Sequence, residues 1–215
     1  MVRARFAGAA ALVAACGIAT PAVTGTRHSP IHFAAERQTE AEGLIVAEVY
    51  VGLRNQLLTA KAETIGLNPA ANEVWGVMME ARYSKAVASL VAVADGTVSF
   101  YFSNGGGILG LGPHPGPQRV GKELIVLAQQ FVGQARPTTN FPLPQPGITS
   151  FYLLCGSSVL AAEAKTDDLR QGRHPLSRLF DKGQELISEI RVIEEKRSTG
   201  PAAPPPNSKQ GGTER

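Results

Sequence analysis

AVASLVAVADGTVSFYFS, residues Ala86 to Ser103, decides how the rest of the chain is read. Asp95-Gly96 stands between two apolar runs, and this dipeptide supplies the positive-φ residues of a type I′ hairpin turn. The run after it alternates strictly. Val98, Phe100 and Phe102 point one way, and Thr97, Ser99, Tyr101 and Ser103 the other. That is the period of a half-buried strand, so two antiparallel strands flank the turn. The apolar run VWGVMMEARY, Val74 to Tyr83, adds a third strand and completes a meander.

Outward from the meander the period changes. Between about Glu36 and Thr64, Leu44, Val46, Tyr50, Leu53, Leu57 and Leu58 recur at helical spacing, and Gly66 and Pro69 close the run. Downstream, Val120, Leu124, Leu127, Ala128, Phe131 and Val132 form one apolar face of a second helix. Pro-rich FPLPQPG then leads into Ile148 to Leu154, a Cys155-Gly156-Ser157 turn and Ser158 to Lys165, which read as a second hairpin. Last comes a continuous stripe of Leu176, Leu179, Phe180, Gly183, Leu186, Ile187, Ile190 and Ile193, with Pro175 expected at the first helical position. The order α-βββ-α-ββ-α predicts one α+β domain over residues 36–196, built on an antiparallel sheet of about five strands. A doubly wound nucleotide fold does not fit this order.

The two ends differ from this body. MVRAR, the apolar run Phe6 to Ala19 and the small residues near Ala22 make residues 1–35 read as a secretory leader or as a dispensable start-site extension. Val13-Ala14-Ala15 before Cys16 also fits the pattern preceding a lipid-modified cysteine, so Cys16 is a candidate anchor. The chain is then expected to be cytoplasmic if the leader is an extension, and exported or lipid-anchored outside the inner membrane if it is a signal. The apolar run is too short for a transmembrane span. Residues 197–215, RSTGPAAPPPNSKQGGTER, hold nothing to bury and are expected to be disordered.

Charge follows the same division. The chain carries 21 Lys and Arg against 18 Asp and Glu, a formal +3. Arg3, Arg5 and Arg27 precede residue 36 with no acid, and Arg197, Lys209 and Arg215 follow residue 196 against Glu214 alone, leaving 15 basic and 17 acidic residues between. A mildly acidic body without a cationic stripe does not fit nucleic acid, whose phosphates need clustered Lys and Arg. Two cysteines, Cys16 and Cys155, supply neither a disulfide framework nor a zinc site.

An offset of sixty residues recurs within the body: Gly96, Gly112, His114 and Pro115 return as Gly156, Gly172, His174 and Pro175. Both copies run strand, glycine turn, strand, loop, G-x-H-P, amphipathic helix, which suggests an internal ββα duplication. Locally, G-x-H-P is also a way to begin a helix, with a polar residue near the N-cap and proline at N1. It places His114 and His174 at helix N-termini, where free N–H groups favour anions. About a pseudo-twofold axis the two histidines would meet one small anion.

NGGGILGLGPHPG, Asn104 to Gly116, satisfies G-x-G-x-x-G at Gly105, Gly107 and Gly110. Its context fails the dinucleotide fingerprint, because Pro113 to Pro117 delay the helix and no parallel βαβ unit follows. Gly116 to Glu123 approaches a P-loop but has glutamate in place of the hydroxyl that binds magnesium. Neither G-x-S-x-G nor H-E-x-x-H occurs, and the four histidines lack metal-ligand spacing. Cys155 reads as a buried thiol and Asp167 with Asp168 as a solvated loop. Glu80, inside an otherwise apolar strand, reads as a half-exposed position and a weak candidate for a site.

Taken together, VWGVMME (Val74 to Glu80), LVAVADGT (Leu90 to Thr97), YFSNGGG (Tyr101 to Gly107) and GRHPLS (Gly172 to Ser177) resemble a family of short bacterial proteins with no assigned function. The likeness spans about residues 45–193. It implies a small α+β domain beginning near the first helix, with no established reaction or ligand.

No catalytic constellation or cofactor motif emerges from these residues. The expectation is a non-enzymatic interaction or regulatory module, with a protein partner or self-association through a sheet edge or helix. The alternative is a protein that binds a small anion or phosphate metabolite through Gly105, Gly106, Gly107, His114 and His174. A third is an extracytoplasmic lipoprotein anchored at Cys16.

Overall fold

The computed structural model describes residues 43–83 and 85–199. The expected leader with Cys16, and the tail beyond residue 199, lie outside the described residues. The meander forms as expected: β1 (Val74–Tyr83), β2 (Ala86–Val93) and β3 (Val98–Phe102) pair antiparallel in sequence order. The turn differs in one respect. Val93 N–H donates to Thr97 O, so the loop spans Ala94 to Gly96, three residues with Gly96 at φ 95°. This is the longer hairpin loop with its glycine in the left-handed region, and the Asp95 carboxylate accepts from Thr97 N–H at 2.8 Å.

The sheet is α+β and antiparallel as expected, but has seven strands in the order β4-β3-β2-β1-β6-β7-β5. The second hairpin supplies β6 (Ile148–Cys155) and β7 (Ser158–Lys165), and β6 pairs with β1 at the centre. The two additional strands, β4 (Gly107–Ile108) and β5 (Arg136–Pro137), hold two residues each and finish the two edges. Such short pieces carry no period of their own.

Both faces of the sheet are covered. On one, Val77, Met79, Leu90, Ala92, Val98, Phe151 and Leu153 pack under α2 (Pro115–Ala128) and α4 (Ser177–Thr199). On the other, Met78, Val87, Val91, Tyr101, Tyr152 and Leu154 pack under α1 (Glu48–Leu58). Phe141 and Leu143 of the Pro-rich loop complete that cover. A strand buried on both sides reads as a continuous apolar run, which is why β1 and β6 do not alternate.

The helices differ from expectation at their ends. α1 starts at Glu48, not near Glu36, because residues 44–47 are extended and tied to the sheet by Ile45 N–H to Lys85 O and Ala47 N–H to Ser103 O. α2 begins with Pro115 at N1 and an extended His114 as N-cap, as G-x-H-P predicts. α4 begins at Ser177, beyond Pro175, and continues three residues into the expected tail. A short helix, α3 (Thr166–Arg170), fills the stretch read as a solvated loop, where Arg173 meets Asp168 at 2.6 Å and holds its carboxyl low.

α2 and α4 run antiparallel: Lys182 meets Glu123 at 3.0 Å, and Arg119 reaches Glu189 at 3.6 Å. Hydrogen bonds from Lys182 and Arg119 hold the Glu123 carboxyl below its ordinary value.

This arrangement corrects the duplication. From β1 outward the two units run β2, β3 and β6, β7, with β2 and β6 both antiparallel to β1 and both helices on the same face. Equal strand direction, mirrored order and a common helix face are related by reflection, not rotation. L-amino-acid units cannot be superposed that way, so G-x-H-P is a local device for starting helices that the chain uses twice.

Candidate functional site

Burial gives Glu80 a role other than the half-exposed one read from its strand. Its side chain is 0 % exposed and lies on the α1 face of β1. Arg54, 5 % exposed, donates from Nε to both carboxylate oxygens and from Nη2 to Oε2 at 2.8 Å. Tyr50 Oη and Ser89 Oγ donate to Oε1 at 3.0 and 2.8 Å. The remaining guanidinium donors reach Phe141 O, Pro142 O and Tyr152 Oη, and the guanidinium sits 5.5 Å from the centre of the Tyr152 ring. Tyr152 Oη itself donates to Pro142 O at 2.9 Å.

Every member of this network is closed on another, so its chemistry is structural. A buried carboxylate is tolerable only when paired and hydrogen-bonded. Here one residue of α1 fastens the central strand and the Pro-rich loop at once. Burial pushes the Tyr50 hydroxyl well above its ordinary value, with the Glu80 charge adding to it, and does the same to Tyr101. Burial also takes Tyr152 up to about 12 despite the Arg54 cation. Burial alone would weaken the Arg54 cation, but hydrogen bonding and charge from Glu80 outweigh it and raise its pKa. Sequence reasoning missed Arg54, although it stands four residues from both Tyr50 and Leu58, on the buried stripe of α1.

The opposite face offers an open site. Along the flank of α4 remote from α2, a groove of about 570 Å³ opens between helix and sheet. Its floor is Met79, Ala81, Ala88, Leu90, Phe100 and Phe102, with Ile108 of β4 as one lip. Ala81 and Ala88 stand opposite each other in register, and their small side chains make the depth. The helix contributes Gln184, Ile187, Arg191 and Glu194, at spacings of three and four that define one stripe. Arg170, the last residue of α3, completes the mouth. Among the described residues neither the Arg170 nor the Arg191 guanidinium has a hydrogen bond or an ion pair, whereas Glu194 lies 3.7 Å from Arg197.

The residues singled out in the sequence are placed apart. Gly105 N–H donates to Phe102 O and Gly106 N–H to Asn104 Oδ1, so these two donors of the loop are committed within it. Gly107 (φ 144°) lies in β4 opposite Tyr101 and lines the groove. His114 caps α2 and His174 precedes α4, and because those helices are antiparallel the two stand at opposite ends of the pair. No single small anion spans both within one chain. His174 instead borders a second cavity of about 530 Å³ with Arg136, Glu163 and Thr138 at the β5–β7 margin. Cys155 is buried at the end of β6, where burial raises its thiol. Among the described residues there is no metal-ligand cluster and no helix long and apolar enough to cross a membrane.

Fold and site together define a two-sided α+β sheet domain with an apolar groove under its C-terminal helix. Compared with family models, curated proteins and solved structures, the chain matches none of them. The reading of the site therefore rests on its own residues.

Proposed function

We propose that this protein is a non-catalytic binding module whose docking site is the groove between α4 and the β1–β4 part of the sheet. One observation carries the reading: a cleft with an apolar floor and its polar groups confined to the mouth. Its volume falls in the range of small-ligand sites, about 300–1,000 Å³. An environment-sensitive apolar fluorophore tests this directly. It binds the wild-type protein, and its signal is lost in Ala88→Leu, whose larger side chain fills open space and leaves the thermal midpoint unchanged. Equal fluorescence from both proteins overturns the reading.

The exposed patch on the opposite face supports self-association as a second reading. Ile45 and Val46, in the extended lead into α1, and Val49 and Val51, in its first turn, are all exposed large apolar side chains, with Ile45 54 % and Val49 57 % accessible. An exposed apolar patch of this kind, spanning the lead and first turn of α1, suits pairing with the same patch on a second copy. Light scattering would then give a mass that rises with concentration, reverting to monomer in Val49→Asp. A monomer at all concentrations removes this reading and leaves the groove untouched.

A further inference from the structure

From the charge at the groove mouth we infer the class of ligand: a single-chain apolar carboxylate, with its hydrocarbon on the sheet and its head group between Arg170 and Arg191. The inference rests on the groove being the binding site, and adds what the site selects. Two guanidinium groups border a cleft with an apolar floor, and neither has a partner among the described residues. The acid at the same mouth, Glu194, faces Arg197 and is offset by it. Arginine presents a planar fork of donors that matches a carboxylate, and Gln184 adds a neutral donor on the same helix stripe. Deeper in, Met79, Ala81, Ala88 and Leu90 offer no charge, so only hydrocarbon is accommodated without desolvating a polar group. The footprint is fifteen residues. A standard protein interface uses about 20–30 residues a side, so the dimensions suit a small amphiphile better than a folded partner.

The test compares dodecanoate with dodecanol, each displacing the apolar fluorophore from the full chain, in the wild type and in Arg170→Gln/Arg191→Gln. Dodecanoate is expected to compete more strongly than the alcohol, by about five- to tenfold at low salt, since two exposed ion pairs each add a modest increment. Added salt narrows that gap by screening the head group. The double variant binds both ligands alike while keeping its affinity for the alcohol. If the wild type binds acid and alcohol equally, and the arginine variant changes nothing, the carboxylate assignment is overturned and the groove reading stands. If neither ligand displaces the fluorophore, or an acidic amphipathic peptide does so where both fail, the small-amphiphile assignment falls. Should the fluorophore itself not bind in the groove, the underlying reading fails with it.

Discussion

Arg54 and Glu80 meet edge to edge, with Nε and Nη2 of the one donating to both oxygens of the other at 2.8 to 3.1 Å. They lie 26 residues apart, on a helix and on the central strand of the sheet. Removing either partner strands the other in a site closed to solvent, with Glu80 0 % and Arg54 5 % exposed. Breaking a buried pair this way costs about 3–5 kcal/mol. Arg54→Met and Glu80→Gln are each expected to destabilise the protein by about that amount, and the double variant by clearly less than their sum. Denaturant unfolding followed by the buried single tryptophan, Trp75, measures all three. Additive losses would show that the two side chains act independently, contrary to the geometry.

The same network fixes a response to alkali. Tyr50, Tyr101 and Tyr152 are raised above the ordinary tyrosine value, first by burial and secondarily by the Glu80 charge or against the Arg54 charge. A raised folded pKa means that the fold favours the neutral phenol. The resulting stability is complete below the unfolded value, about 10, and is lost as pH rises through the folded values, about 12 for Tyr152. Tyrosinate absorbance should therefore appear late for these three, together with loss of near-ultraviolet circular dichroism. Their ionisation in a still-folded protein, near the ordinary value, would contradict the network.

The sequence made the sheet legible where one period dominated. The alternation of β3, the stripe on α4 and the His114-Pro115 start of α2 are found where periodicity and capping chemistry put them, although β3 is not half-buried: Ser99 and Tyr101 are buried under α1, and Phe100 and Phe102 line the open groove. What was not legible depended on neighbours distant in the chain. Glu80 in an apolar strand is compatible with exposure or with a buried partner, and only the fold brings Arg54 to it. The groove is a property of α4 lying beside Ala81 and Ala88, three segments without a local signal of their association. The matching G-x-H-P segments misled because similar local chemistry does not require related units.

Glycines in Asn104 to Gly116 are expected to divide by what surrounds them. Gly107 has φ 144°, and a Cβ there would collide with Tyr101 Cα and Phe100 O across the β3–β4 pairing. Gly110 has φ 72° but open space around it. Gly110→Ala should cost only its backbone strain, about 1 kcal/mol. Gly107→Ala should exceed that and also loosen the lip of the groove, lowering fluorophore binding. Thermal melts of the two variants, with binding measured alongside, check the order. Equal costs would mean that β4 does not pack on β3 as described.

The two histidines of G-x-H-P make a final, sharper contrast. His174 Nδ1 accepts Leu176 N–H at 3.2 Å, while Ser177 Oγ accepts His174 N–H at 3.3 Å, a reciprocal closure of the turn before α4. The His114 side chain makes no capping hydrogen bond to α2, which relies on Pro115 at N1. Replacing a capping side chain with alanine typically costs about 0.5–2 kcal/mol. His174→Ala should fall in that range, and His174→Asn, which keeps a short acceptor, should recover part of it. His114→Ala should change stability by less than either. Both alanine variants should bind the apolar fluorophore as the wild type does, because neither histidine lines the groove. Loss of binding in either would move the site away from α4 and back toward the helix starts.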